Sequence, residues 1–181
     1  MICSVDIGLT GGLYNGTGHC IMPTKTLETK PAVMILAKDS NGKKQLYKSG
    51  PLEGTPKYKI KTPAKTMKVL DVFAIQKFFK GASTIVLEAQ GTSMGNSSRS
   101  SRTTAMNYGK LLAIAELTGA EVVTVPPHVW KKALGLSQDK MDSILLAEKL
   151  TGESFRTPRG RLLDGQGEAL LIHHWYTTKD K

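Results

Sequence analysis

Residues 1–16 read MICSVDIGLTGGLYNG. Ile2, Cys3, Val5 and Ile7 form an apolar run of the kind that makes a buried strand, and a glycine-rich turn follows it. Asp6 sits inside that run. A lone carboxylate in an apolar strand costs several kcal/mol unless something compensates it. Its partner is then a metal ion, a cation that accompanies a phosphate, or the backbone of the turn it precedes.

The rest of the chain alternates in texture. "LYNGTGHCIM" (residues 13–22) reads as a second strand with an Asn-Gly turn or bulge, antiparallel to the first. "AVMILA" (32–37) and "QLYK" (45–48) flank a turn and predict a further hairpin. Residues 50–66, rich in Gly, Pro and Lys, read as an exposed loop or added arm. From Met67 a helical stripe of Val69, Val72, Phe73, Ile75, Phe78 and Phe79 ends at Gly81. "STIVLEA" (83–89) is a buried strand, residues 90–104 a polar loop, and 105–118 a helix stopped by Gly119. "AEVVTVPP" (120–127) is another buried strand. Two helices, a basic loop and a last helix, which opens as a turn at "DGQGE", complete the chain. Strands first, then alternating helices and strands, predict an α/β fold: a mixed sheet of about five strands flanked by helices. The whole chain, 1–181, is expected to form one domain with a basic hairpin and loop inserted around 27–66.

Of the 181 residues, 40% are hydrophobic and 22% charged, a composition suited to a globular core. No apolar run approaches the ~20 residues of a membrane span, and no secretory signal is visible at the N-terminus, so a cytoplasmic location is expected. Cys3 and Cys20 read as small buried hydrophobes in neighbouring strands, and no Cys/His spacing suggests a zinc site.

The net charge of +10 favours a polyanionic partner, nucleic acid before membrane. A lysine-rich solvated surface would account for part of it. The arginines, however, all fall in two clusters, Arg99 with Arg102 and Arg156 with Arg159 and Arg161. Guanidinium groups suit bidentate phosphate contacts.

Each cluster flanks a candidate acidic position. Glu88 ends an apolar strand as Asp6 does. Asp164 and Glu168 stand at i and i+4 at the start of the last helix, on one face. If the strands of Asp6 and Glu88 are neighbours, all four carboxylates gather at one rim, where mutual repulsion drives their pKa values upward. Bound Mg²⁺ or Mn²⁺ relieves it. Two such ions about 4 Å apart can drive phosphodiester hydrolysis. Taken singly, Asp6 could cap a turn, Glu88 could face solvent, Asp164 could be an N-cap and Glu168 could complement the helix dipole. The set is what points to chemistry.

"SVDIGLTGG", "VLEAQGTSMG", "VPPHVWKKALGLSQDK" and "DGQGEALLI", in this order, resemble the RuvC-type Holliday junction resolvases, and within them the phage-encoded RuvC-like branch. The likeness is clearest at 1–22 and 84–176 and poorest at 27–66. It implies an RNase H-like fold and a homodimer. It also implies Mg²⁺-dependent paired nicking of four-way junctions, in DNA recombination and repair, that leaves 5′-phosphate and 3′-hydroxyl ends. Asp6, Glu88, Asp164 and Glu168 would be the metal ligands, two ions to a site, with Mn²⁺ as a possible substitute. Lys131 and Lys140 would lie near the scissile phosphate. Bacterial RuvC usually carries two aspartates three apart on the last helix, where this chain has Asp164 and Glu168. Residues 91–105, with Ser97, Ser98, Arg99 and Arg102, correspond to a DNA-contacting region. The helix 105–118 is expected in the dimer interface, and Arg156, Arg159 and Arg161 would grip the DNA backbone. A nuclease of the same fold with broader targets, such as flaps and forks, is the first alternative. An actin/Hsp70-like nucleotide-binding protein is the second, because "DIGLTGG" also resembles that superfamily's phosphate motif. The resolvase reading needs no nucleotide cofactor and no membrane.

Overall fold

The computed structural model describes residues 1–7, 10–89 and 98–179, and of 98–100 the backbone alone. The chain divides into two compact units, Met1–Thr24 with Leu70–Lys181, and Lys25–Val69.

The first unit is built on a five-stranded sheet. Strand β1 (Ile2–Asp6) is central. It pairs antiparallel with β2 (Gly12–Tyr14), which pairs antiparallel with β3 (His19–Ile21). On its other side β1 runs parallel to β8 (Thr84–Glu88), and β8 parallel to β9 (Glu121–Val125), giving the order β3-β2-β1-β8-β9. The stretch 13–22 is thus two strands rather than one. Asn15 accepts backbone hydrogen bonds from Thr17 and Gly18, and Gly16 takes a φ of 86°. These close the turn between β2 and β3. That extra strand separates Cys3 on β1 from Cys20 on β3, and both thiols are free.

Strand alternation sorts the side chains onto two faces. Cys3, Val5, Ile85 and Leu87 pack on one side with Ile75 and Phe79 of α1 (Val72–Phe79) and with Leu111, Ile114 and Ala115 of α2 (Ser98–Glu116). Val86 and Val125 pack on the other. There they meet Trp130 of α3 (Pro127–Ala133), Ile144 and Ala147 of α4 (Lys140–Thr151), and Leu170, Leu171 and Ile172 of α5 (Asp164–Thr178). Helices therefore cover both faces, and β8 is buried along its whole length, as a central parallel strand must be.

Two helices begin elsewhere than the sequence suggests. The first starts at Val72, N-capped by Asp71, whose carboxylate accepts from the Ala74 amide at 3.3 Å. Phe73, read as part of its apolar stripe, is 74% exposed. The helix α2 starts at Ser98, inside the stretch read as a polar loop. Arg102 and Thr103 are exposed there, so these turns have no apolar periodicity to betray them.

The unit Lys25–Val69 consists of two two-stranded sheets: β4 (Thr24–Lys30) with β7 (Lys65–Leu70), and β5 (Val33–Leu36) with β6 (Tyr58–Thr62). The turn after "AVMILA" forms as expected, with the Asp39 amide donating to the Lys43 carbonyl at 2.9 Å and Gly42 at φ 77°. The partner of β5 is β6, however, from the stretch read as loop. "YKIKT" alternates lysine with apolar residues, and every residue of it is exposed, so a burial-based signal was missing.

Candidate active site

The alternation that sorts the core also aims the acids. Ser4 lies on the α5 side of β1, its hydroxyl donating to the Ala169 carbonyl at 2.5 Å. Asp6, two residues on, projects the same way. On β8 the Val86 side is also the α5 side, and Glu88 follows it by two. Val5 is registered with Leu87, so both carboxylates stand at the carboxyl ends of adjacent parallel strands.

Glycines bring α5 to that rim. Asp6 pairs with Gly12, and Gly11 bridges to Gly165. A Cβ on Gly165 would lie 2.6 Å from the Gly11 backbone, and Gly167 faces Ile144 with 3.2 Å for a Cβ. The glycines that weaken a helix reading are thus close-approach positions, and the helix is regular from Asp164 onward.

Asp6, Glu88, Asp164 and Glu168 consequently form one cluster. Burial, followed by the charges of Glu88, Glu168 and Asp164, holds the Asp6 carboxyl well above the ordinary carboxylate range. Glu88 is buried and also raised. Desolvation outweighs the indole of Trp130, which donates to its Oε1 at 3.0 Å, and the attraction of Lys131. Glu168 is buried and accepts from Lys131 Nζ at 2.7 Å and from the Ser143 hydroxyl at 3.3 Å. Asp164 accepts from Lys140, whose ammonium is held protonated above its usual range by that hydrogen bond first and by the field of Asp164, Glu168 and Asp6. Lys140 and Ser143, one turn apart on α4, thus meet Asp164 and Glu168, one turn apart on α5.

The donor set is four hard carboxylates with excess negative charge, the kind that suits Mg²⁺ or Mn²⁺. In this conformation two of them are engaged by lysines. No three His, Cys, Asp or Glu among the described residues converge as the ligands of a single ion. The chemistry of the set fits a divalent cation, and the arrangement is that of a cluster with lysines as counter-ions.

The basic residues divide. Arg156 turns inward, its Nε 3.3 Å from Glu148 Oε1 and Nη2 on the Met141 sulfur. Arg159 and Arg161 are exposed on a tight turn in which Gly160 takes a φ of 78° and the Thr157 amide donates to the Arg161 carbonyl at 2.8 Å. Arg102 is exposed on α2. Ser97 and the side chains of Ser98 and Arg99 lie outside the described residues.

Three neighbours of the site were not singled out as functional by the sequence. Trp130, read only as a packing anchor, also orients Glu88. Ser143 could have been found as the residue one turn after Lys140. Gln166, inside the DGQGE stretch, lies 2.5 Å from His19 Nδ1, and His19 Nε2 lies 2.9 Å from Glu153. His173 stacks edge-on to Tyr14, with ring centroids 4.9 Å apart, rather than joining the acids.

No helix among the described residues is long and apolar enough to cross a membrane. No protein-family model and no curated protein matches the chain in sequence. Solved structures do match. The chain is similar to Thermus thermophilus RuvC at 15% identity and TM-score 0.51, with 99% of this chain and 96% of that one covered. It is equally similar, at 15% identity and TM-score 0.51 over 98% and 95%, to T. thermophilus RuvC in complex with Holliday junction substrate. The five-stranded mixed sheet, its flanking helices and these neighbours show that the chain has the RuvC fold, an RNase H-like architecture.

Proposed function

We propose that the protein is a divalent-cation-dependent endonuclease that resolves four-way DNA junctions by paired nicking. One observation carries this reading: four carboxylates from β1, β8 and α5 meet at the carboxyl rim of a RuvC-like sheet, with two lysines against them. One of the RuvC structures that share the fold holds a Holliday junction substrate, which favours branched DNA as the partner.

Asp6, Glu88, Asp164 and Glu168 would hold Mg²⁺ or Mn²⁺, up to two ions, which when bound supply water activation and neutralisation of phosphate charge. Trp130 keeps Glu88 oriented, and Ser143 and Lys131 keep Glu168 oriented. Lys140, with 65% of its side chain exposed, is free to exchange Asp164 for a phosphate oxygen. Arg102, Arg159 and Arg161 contact the DNA backbone without reading bases. Arg156 serves the turn instead, through Glu148. The two-fold symmetry of a junction calls for a C₂ dimer with two such sites, and Met106, 55% exposed on α2, supports that helix as part of the interface. The reaction would take place in the cytoplasm, that of a bacterial host if the protein is phage-encoded.

The test is nicking of a synthetic four-way junction beside linear duplex, fork and flap, with Mg²⁺ or Mn²⁺, by wild type and Asp6→Asn. Paired symmetric nicks on the junction, lost in Asp6→Asn while binding persists, are expected. Equal cutting of forks and flaps would replace the resolvase with a general debranching nuclease. Absence of cutting with either ion would overturn the nuclease reading.

A further inference from the structure

The charge of the chain is not evenly spread. Lys25–Val69 holds eleven of the twenty lysines against three acids, Glu28, Asp39 and Glu53, so it carries +8 of the net +10. The remaining unit, which contains every arginine and the acidic cluster, is nearly balanced at +2.

The same forty-five residues bury almost nothing. Ala37 is their one buried residue. Concentrated like charge opposes a compact state, and a unit without a core has little hydrophobic stabilisation to offset it. A solvated surface needs no such excess, since mixed charges keep a protein soluble. A polyanion would relieve the repulsion.

The ribbon geometry presents this charge in an ordered way. On β6 Lys59 and Lys61 alternate with Tyr58 and Ile60, so the two lysines share one face. Lys38 and Lys44 face each other across the Asp39–Lys43 turn, next to Lys43. A two-stranded ribbon matches the width of the DNA major groove. The unit has lysine and no arginine, point charges rather than bidentate forks.

We infer that Lys25–Val69 is a duplex-DNA-binding arm that holds the phosphate backbone of unbranched DNA without reading its sequence. The inference takes its partner, DNA, from the nuclease reading. It assigns that contact to a unit outside the acidic site, so the two can fail separately.

The test compares full-length wild type with a variant carrying Lys43→Gln, Lys44→Gln, Lys59→Gln and Lys61→Gln, and with the same four positions changed to Arg. Binding to a linear duplex is measured from low to moderate salt. Each phosphate contact contributes about −0.9 to the log–log salt slope. The Gln variant is expected to bind duplex at least tenfold more weakly, with a slope shallower by about 3, and the Arg variant to bind as wild type does. That result supports the arm whether or not the wild type nicks junctions. Unchanged duplex affinity and slope in the Gln variant, at an unchanged melting temperature, would overturn it. So would a loss confined to vesicles of phosphatidylglycerol and phosphatidylcholine, which would make the unit a membrane-surface patch.

Discussion

Gly12 and Gly165 meet backbone to backbone: a Cβ on Gly12 would stand 2.3 Å from the Gly165 carbonyl oxygen. Gly12 pairs with Asp6, and Gly165 follows Asp164. One contact between two residues without side chains therefore brings together carboxylates 158 positions apart in sequence.

Gly12→Ala has no flexible neighbour to displace, since the atoms it meets are backbone. It should cost about 1–3 kcal/mol by urea unfolding and lower nicking more than it lowers stability, because α5 must retreat from the rim. Gly109→Ala is the control. That glycine lies in α2 with nothing within 4 Å of its Cβ position, and alanine there should stabilise by about 0.5–1 kcal/mol. Equal effects at the two sites would refute the close-approach account.

Asp6→Asn should raise the melting temperature of the metal-free protein at neutral pH. The sign follows from the direction of the shift. The folded-state pKa of Asp6 lies above its unfolded value, so the folded state binds its proton more tightly. Wild-type stability therefore falls as pH climbs from the unfolded carboxylate pKa, near 4, until the raised folded pKa is passed. Thermal melts across pH without added metal should show this fall in wild type and a smaller one in Asp6→Asn. Mg²⁺ should stabilise the wild type and leave the variant nearly unmoved; an equal response would show that Asp6 takes no part in cation binding.

Lys131 and Lys140 should behave differently although each faces one carboxylate. Lys131 and Glu168 each expose 10% of their side chains, so Lys131→Met strands a buried charge and should cost about 3–5 kcal/mol. Lys140→Met removes a pair that is open to water and should cost about 0–1 kcal/mol, yet sharply reduce nicking. Denaturation and single-turnover rates on the two variants separate these outcomes. Similar stability losses would mean that Lys131 is no more enclosed than Lys140.

Trp130→Phe removes the donor to Glu88 from a fully buried position. An unpaired buried acceptor costs about 1–3 kcal/mol. The hydrogen bond lowers the Glu88 pKa against the larger effect of burial, so its loss should raise that pKa further and move the acidic limb of the nicking pH profile upward. A profile that does not move, with activity falling uniformly, would leave Trp130 a packing residue only.

Asp6 and Glu88 were legible in the sequence because a carboxylate within an apolar strand is costly and conspicuous. Asp164 and Glu168 were legible from helical spacing, and the α/β order from apolar runs and glycine stops. The strands of Lys25–Val69 and the first turns of α2 escaped because they bury almost nothing, and periodicity reports burial. Which charges meet was also beyond the sequence. That Lys131 takes Glu168, Lys140 takes Asp164 and Arg156 takes Glu148 depends on how α3, α4 and α5 pack. By itself the sequence determined the sheet, its acids and the charge balance. The tertiary structure alone decided their partners, because an ion pair depends on separation in space and on desolvation, neither of which is a local property of the chain.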